Sequence, residues 1–346
     1  MNKRLAALKP SLANAVPLLM ILLCLFGLPS ASWPDASSQT TRLRIKNGCD
    51  QPIWIFYLVG AGGGTLDAKN QKKLAKKGDF IDYNIPDQGL AGTRFWPGVA
   101  CDETGNNCTI GQSGGPPSAG FTCPANIGCA PPVDSKFEGT FGCLATVPSS
   151  QCQGNPSSNP PGQPLPQTDG WDTSMVDGYT LPYRVDVTPV NGDCSNGPKN
   201  NAIDCSGLRL NQCPNNENLS TNNQYPALAS ENLVLRYPRS TGSSVAVAPV
   251  GCYSPCSKLT SGQWQSIPDP PFTGTTYQPA DPQAQYYCCP TISPEACSSG
   301  PVASTSYVKL IHTHCPQTYA YAYDDTNGNF TCPAGTKYEV TFYCPQ

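Results

Sequence analysis

Charge is what this sequence has least of. Asp, Glu, Lys and Arg make up 13% of its 346 residues, about half the ~25% typical of globular chains, so long helices with charged outer faces are not predicted. The net charge of −3 provides no basic footprint for nucleic acid, and nucleic-acid partners are excluded. Histidine is nearly absent: His312 and His314 are the only two. No matched third ligand accompanies them and no nucleophile-elbow motif stands behind either, so neither a metal site nor a serine-type triad is predicted. Their alternation suggests instead that both lie on one face of a strand. Gly60-Ala-Gly-Gly-Gly64 lacks the Gly-Lys-Ser/Thr that would make it a phosphate loop and reads as a turn between two strands.

A second long apolar run is also missing. The one present, Val16 to Leu28, contains Pro17 and spans thirteen residues, short of the ~20 that a helix needs to cross a bilayer. With Lys3, Arg4 and Lys9 before it and Ser30-Ala31-Ser32 after it, the run has the three parts of a secretory signal, cut after Ser32. Residues 1–32 are therefore read as a signal peptide and 33–41 as a flexible segment. A secreted, extracellular chain that is not held to a membrane is expected.

Cysteine, glycine and proline, by contrast, are abundant. Cys24 leaves with the signal, and the other eighteen of nineteen cysteines form an even set in a chain routed to an oxidising compartment, which predicts a disulfide framework. Cys123 with Cys129, and Cys252 with Cys256, are spaced like zinc-ligand pairs, but export and the shortage of histidine oppose that reading, and neither metal nor cofactor is expected. Thirty-two glycines and 37 prolines imply many turns.

Short alternating segments run the length of the chain. Leu43 and Ile45 alternate with Arg42, Arg44 and Lys46. Tyr183, Val185 and Val187 alternate with Arg184 and Asp186, and Tyr338, Val340 and Phe342 with Lys337, Glu339 and Thr341. Each predicts a strand with one buried face; Ile53 to Val59, Phe80 to Ile85 and Asn232 to Tyr237 are further candidates. The pattern favours two packed antiparallel sheets. Ser149 to Asp169 and Gly262 to Ala284, rich in Ser, Pro, Asn, Asp and Thr, read as extended surface loops inserted in one domain.

Three strings carry a specific resemblance: Gly92-Thr-Arg-Phe-Trp-Pro-Gly-Val-Ala-Cys101, Gly170-Trp-Asp-Thr-Ser-Met-Val-Asp-Gly-Tyr179, and Cys315-Pro-Gln-Thr-Tyr-Ala-Tyr-Ala-Tyr-Asp-Asp325 running into Phe330-Thr-Cys332-Pro. Asn47-Gly-Cys49, Cys252-Tyr-Ser-Pro-Cys256, the vicinal Cys288-Cys289 and Phe342-Tyr-Cys344-Pro extend the match from about Arg42 to Pro345. Through them the chain resembles the thaumatin, osmotin and zeamatin family. The resemblance implies a mainly β fold, a disulfide-rich antiparallel β-sandwich over residues 42–346, with loop-rich stapled lobes flanking an acidic cleft. It also implies eight bridges: Cys49–Cys344, Cys101–Cys108, Cys123–Cys129, Cys194–Cys332, Cys205–Cys315, Cys213–Cys252, Cys256–Cys288 and Cys289–Cys297. Cys143 and Cys152 are left over, nine residues apart at the base of the first insertion, and are predicted to form a ninth.

The family commonly lines its cleft with one arginine and four acids, and the matching positions are Arg94, Glu138, Asp172, Asp177 and Asp324. Crowded carboxylates raise one another's pKa while a guanidinium lowers them, so such a cluster can hold one protonated and one ionised acid, the requirement for glycoside hydrolysis. Glu138 is the candidate acid, with Asp177 or Asp172 as its partner; the alternative is that these acids only hydrogen-bond sugar hydroxyls or brace Arg94 and the loops. Trp96, Trp171, Tyr179, Tyr319 and Tyr323 fall in or beside the same strings, and aromatic rings suit sugars, although Trp96 and Trp171 are also natural core residues. Sequons at Asn107, Asn218 and Asn329 are candidate glycosylation sites. The resemblance implies a monomeric defence or wall-associated protein that binds β-1,3-glucan, with weak endo-β-1,3-glucanase activity as its candidate reaction. The rival class is a non-catalytic module that blocks a foreign enzyme or perturbs a membrane.

Overall fold

The computed structural model describes residues 41–345, apart from 61, 63–65, 67–70, 107, 109–110, 112–132, 191, 242–243 and 261–276, and gives no side chains for 237–248. The expected signal peptide and flexible segment over residues 1–40, Asn107, the Cys123–Cys129 pair and most of the 262–284 insertion thus lie outside the described residues.

In chain order the strands are β1 (Leu43–Asn47), β2 (Ile53–Val59), β3 (Gln71–Leu74), β4 (Phe80–Tyr83), β5 (Leu90–Val99), β6 (Lys136–Phe141), β7 (Gly154–Asn155), β8 (Gln163–Pro164), β9 (Thr168–Ser174), β10 (Gly178–Tyr179), β11 (Tyr183–Thr188), β12 (Ala202–Asp204), β13 (Val234–Thr241), β14 (Ser244–Tyr253), β15 (Phe330–Pro333) and β16 (Lys337–Phe342). Two sheets form the sandwich: a five-stranded one ordered β12-β11-β16-β1-β4 and a six-stranded one ordered β15-β9-β6-β5-β2-β3. The alternating residues of β1, β11 and β16 that face inward are all buried. Rings of the five-stranded sheet interlock with those of the opposite sheet: Tyr83 of β4 lies 4.9 Å from Phe95, and Tyr338 of β16 lies 5.7 Å from Phe137 and 5.1 Å from Trp171, between ring centroids. Aromatic pairs at such distances add ~0.5–1.5 kcal/mol each beyond the area they bury.

The sandwich is not wholly antiparallel. β1 pairs with β16 in parallel, Asn47 opposite Phe342, because the first and last strands enter the sheet from the same end. Two residues beyond each strand, Cys49 and Cys344 are joined, a bond that this shared direction permits. Arg42 also departs from the alternating pattern. It precedes β1, so strand geometry does not hold its side chain on the outer face, and it is buried with Nη2 donating to Asp169 Oδ1 at 2.6 Å. Asp169 further accepts from Gly142 N and Tyr338 Oη.

The first insertion is therefore ordered rather than loop-like throughout: β7 and β8 form a small hairpin, Leu165 is buried against Ala91 and the Cys143–Cys152 bond, and Asp169 belongs to the core. A second lobe carries β10, β13 and β14 with short helices α1 (Pro255–Thr260), α2 (Gln285–Cys288), α3 (Pro294–Ser298) and α4 (Ser306–His314), and α5 (Asp325–Gly328) lies in the loop before β15. His312 and His314 thus lie on a helix and not on a strand. Thr305 caps α4 by accepting from Val308 N, and Tyr307, Val308 and Ile311 form its buried side, a helical spacing that outweighs a two-residue alternation. The remaining described bridges, Cys101–Cys108, Cys194–Cys332, Cys205–Cys315, Cys213–Cys252, Cys256–Cys288 and Cys289–Cys297, tie the lobes and loops to this frame. Among the described residues no helix is long and apolar enough to cross a membrane.

Candidate functional site

The six-stranded sheet buries one face in the sandwich and turns the other outward. On β5, β6 and β9 the inward residues are Phe95, Phe137 and Trp171, all buried. Period-two alternation then places Arg94, Glu138 and Asp172 outward. Strand register sets them side by side: Arg94 pairs with Glu138, and Glu138 with Asp172. Directly opposed residues have Cβ atoms ~4.5–5.5 Å apart, and two carboxylates so placed repel. The fold tolerates this arrangement; the packing does not require it.

The row lies in a cleft made of two adjoining hollows, of about 440 and 340 Å³, that share these three residues. Glycines open the first hollow: Gly60, Gly92 and Gly170 line it, and a Cβ on Gly170 would meet nothing within 4 Å. Gly92 has φ +57° at an irregularity in the β5–β6 pairing, between Leu90 and Thr93, a device that re-aims side chains beside a site. Lys136, Asp177, Tyr319 and Tyr323 line the second hollow.

Burial is the largest influence on Asp172 and, with Glu138 and Asp325 nearby, raises its pKa well above that of an ordinary aspartate; Lys136 partly opposes the shift. Lys136 is itself buried and forms an ion pair with Asp177. Burial works against its charge, but Asp177, Glu138 and Asp134 outweigh that and hold the ammonium protonated beyond its ordinary range. One buried cation thus sits beneath several acids.

The loop after α4 closes the far side. Tyr319 N donates to Thr173 O at 3.0 Å and Met175 N to Tyr319 O at 2.8 Å, docking the loop on β9. Tyr319 Oη donates to Asp325. Tyr323, 40% exposed, presents its ring to the cleft.

Two candidates lie elsewhere. Asp324 is 1% exposed; its carboxylate accepts from His312 Nε2 at 2.7 Å, Ala320 N at 3.0 Å and Asn327 Nδ2 at 2.7 Å. It anchors the loop that carries Tyr323 and Asp325 and does not line the cleft. Tyr179 is buried in the second lobe, its hydroxyl donating to Arg209 O at 2.9 Å. Trp96 and Trp171 are also buried, Trp96 stacked on Phe56 with its indole N–H donating to Gly111 O. Lys136 and Asp325 were not singled out from the sequence; the signal was there, two residues before Glu138 at the same parity and immediately after Asp324. Asn218 and Asn329 are exposed. Among the described residues no group of His, Cys, Asp and Glu is placed to hold a metal ion.

A family model described as Thaumatin family matches residues 274–345. Relatives match far more of the chain. "Glucan endo-1,3-beta-glucosidase" of Prunus avium is 27% identical over 311 residues, 88% of this chain and 90% of that protein. "Thaumatin-like protein 1" of Pyrus pyrifolia is 26% identical over 315 residues, 90% of this chain and 93% of that one. Together these matches, which span most of the chain, support a thaumatin-like family. Among solved structures, a GH family 64 laminaripentaose-producing beta-1,3-glucanase from Paenibacillus barengoltzii covers 92% of this chain, which spans 79% of that one. At 14% identity and a TM-score of 0.39, that likeness is too loose to add to the assignment.

Proposed function

We propose that this thaumatin-like protein is a secreted, wall-associated defence protein whose outward cleft binds a β-1,3-glucan-type polysaccharide. One observation carries the reading: Arg94, Glu138 and Asp172 stand in a single cross-strand row on the outer sheet face, with the Asp172 carboxyl held protonated to higher pH than an ordinary aspartate. A row that mixes a guanidinium, a second carboxyl group and a protonated acid offers hydrogen-bond donors and acceptors together, as sugar hydroxyls need. The exposed Tyr323 ring at the cleft wall adds an apolar surface for a pyranose face. The glucanase name of the Prunus avium relative supports the choice of polymer.

The same pair has the parts for slow endo-cleavage, with roles opposite to those the sequence suggests. Asp172 is the better acid, since burial favours its neutral form. Its proton passes to the bridging oxygen as the bond to the anomeric carbon breaks, Glu138 faces that carbon, and water adds there, its proton restoring Asp172. Asp177 is engaged by Lys136 and takes no part.

The test is retention of the mature, oxidised protein on insoluble β-1,3-glucan beside cellulose and chitin, with released sugar measured in the supernatant. Preferential retention on the glucan is expected, and it should be diminished by Gly170→Phe, whose ring would occupy the open space above Gly170. Asp172→Asn and Glu138→Gln should stop any release of sugar while leaving the chain folded. Retention on none of the polymers, or undiminished retention of Gly170→Phe, would remove the proposal.

A further inference from the structure

The largest hollow described in this structure is not the cleft. A groove of about 930 Å³ lies in the helical lobe, between the 216–224 loop, α2, the turn after α3 and the start of α4. Its chemistry differs from that of the cleft. Five side-chain amides line it, those of Asn216, Asn218, Asn222, Asn223 and Gln224, together with six serine and threonine residues and two tyrosines, and Glu217 is its one charged residue. Glu217 is not available to a ligand: it is buried, and its two carboxylate oxygens accept from Ser306 N at 3.1 Å and Tyr307 N at 2.9 Å. The groove therefore presents an uncharged lining of groups that both donate and accept hydrogen bonds.

Two further observations point to a ligand. Thr221, which lines the groove, is 5% exposed, and its hydroxyl makes no hydrogen bond of good geometry. The Tyr287 phenol accepts the Thr221 N–H at 3.3 Å and stands close to Oγ1 without completing a hydrogen bond of good geometry to it. A buried hydroxyl without a partner costs stability, and Thr221 also carries a left-handed backbone (φ 42°) at the head of a run with Asn222 and Asn223, a conformation that a β-branched residue rarely adopts. Such strain clusters at ligand sites. Tyr286 stands at the wall with 37% of its surface exposed, an unusual state for so large a ring among the described residues. It lies on α2, two residues before Cys288 and three before Cys289, whose bridges to Cys256 and Cys297 fix the segment, a rigid mount that lowers the entropy lost on binding.

We propose that this groove is a second saccharide site, for an uncharged pyranose chain. The amides meet sugar hydroxyls, the Tyr286 ring packs on the apolar face of one residue, and the Thr221 hydroxyl, turned by an ordinary rotamer change, gains the partner it lacks. The proposal does not depend on what the cleft binds.

Calorimetry on the Gly170→Phe protein, whose cleft is filled, tests it, with any glycan on Asn218 first trimmed. Laminarihexaose, cellohexaose and chitohexaose are the probes. At least one should bind with one-to-one stoichiometry, Tyr286→Ala should weaken that binding about tenfold, and Thr221→Val about threefold or more. Because Thr221→Val removes the orphan hydroxyl at nearly constant shape, its unfolding temperature should equal or exceed that of its parent, which separates loss of binding from loss of fold. Absence of heat from all three probes up to about 10 mM, ten times the ~1 mM constant of a weak ligand, would overturn the proposal, as would binding that Tyr286→Ala leaves unchanged. Failure of the cleft reading would appear separately, as a wild-type chain whose glucan retention Gly170→Phe does not alter.

Discussion

Replacing Lys136 by methionine should destabilise the protein at neutral pH even though it removes a buried charge. Lys136 is 4% exposed and Asp177, its partner, 37%; Glu138 and Asp134 also act on its ammonium. Breaking a buried ion pair by deleting one partner costs ~3–5 kcal/mol, mostly because the other charge stays behind. Water reaches Asp177 and re-solvates it, so a value just below that range, about 2–3 kcal/mol, applies here. At ~2–4 °C per kcal/mol for a domain of 150–250 residues, and somewhat less for this larger one, the melting temperature should fall by about 4–8 °C. The loss should shrink in acid as the surrounding carboxylates take up protons, and Lys136→Met/Asp177→Leu should recover most of it, since an apolar pair of similar volume can replace a buried ion pair without penalty. Calorimetric unfolding at pH 7 and pH 3.5 measures all of this. A Lys136→Met protein as stable as the wild type at pH 7 would refute the view that this lysine holds the acidic floor together.

Asp172 supplies a prediction of opposite sign. Its pKa is raised in the folded chain, so between the ordinary carboxyl range and the raised value the native state keeps a proton that the unfolded chain has released, and stability falls as pH rises through that window. Asp172→Asn should match the wild type near pH 3 and exceed its stability at pH 7, read as a positive melting-temperature difference that grows with pH. Tyr179→Phe should cost about 1 kcal/mol through loss of the bond to Arg209 O and leave glucan retention unchanged, whereas Tyr323→Ala should do the reverse; comparing thermal unfolding and pull-down for both separates core from cleft. Cys143→Ala/Cys152→Ala opens a short loop and should lower stability by ~2–3 kcal/mol on the chain-entropy model, measured by denaturant unfolding without reductant.

What the sequence determined by itself is local and repetitive. The period-two runs at Leu43, Tyr183 and Tyr338 placed three strands and their buried faces, because alternation is imposed residue by residue by the backbone pleat. The family resemblance placed Arg94, Glu138 and Asp172 on one list, since each position is matched without knowing its neighbours in space. Tertiary structure decided what the list meant. Register between β5, β6 and β9 put those three side by side, while burial withdrew Asp324 and Tyr179 from the cleft to brace a loop and a lobe. The parallel β1–β16 pair, the buried Arg42 and the helix under His312 and His314 were equally out of reach of pattern reading. Each depends on a partner tens to hundreds of residues away, or on which face of a short segment meets the core, and contacts of that range leave no period in the chain.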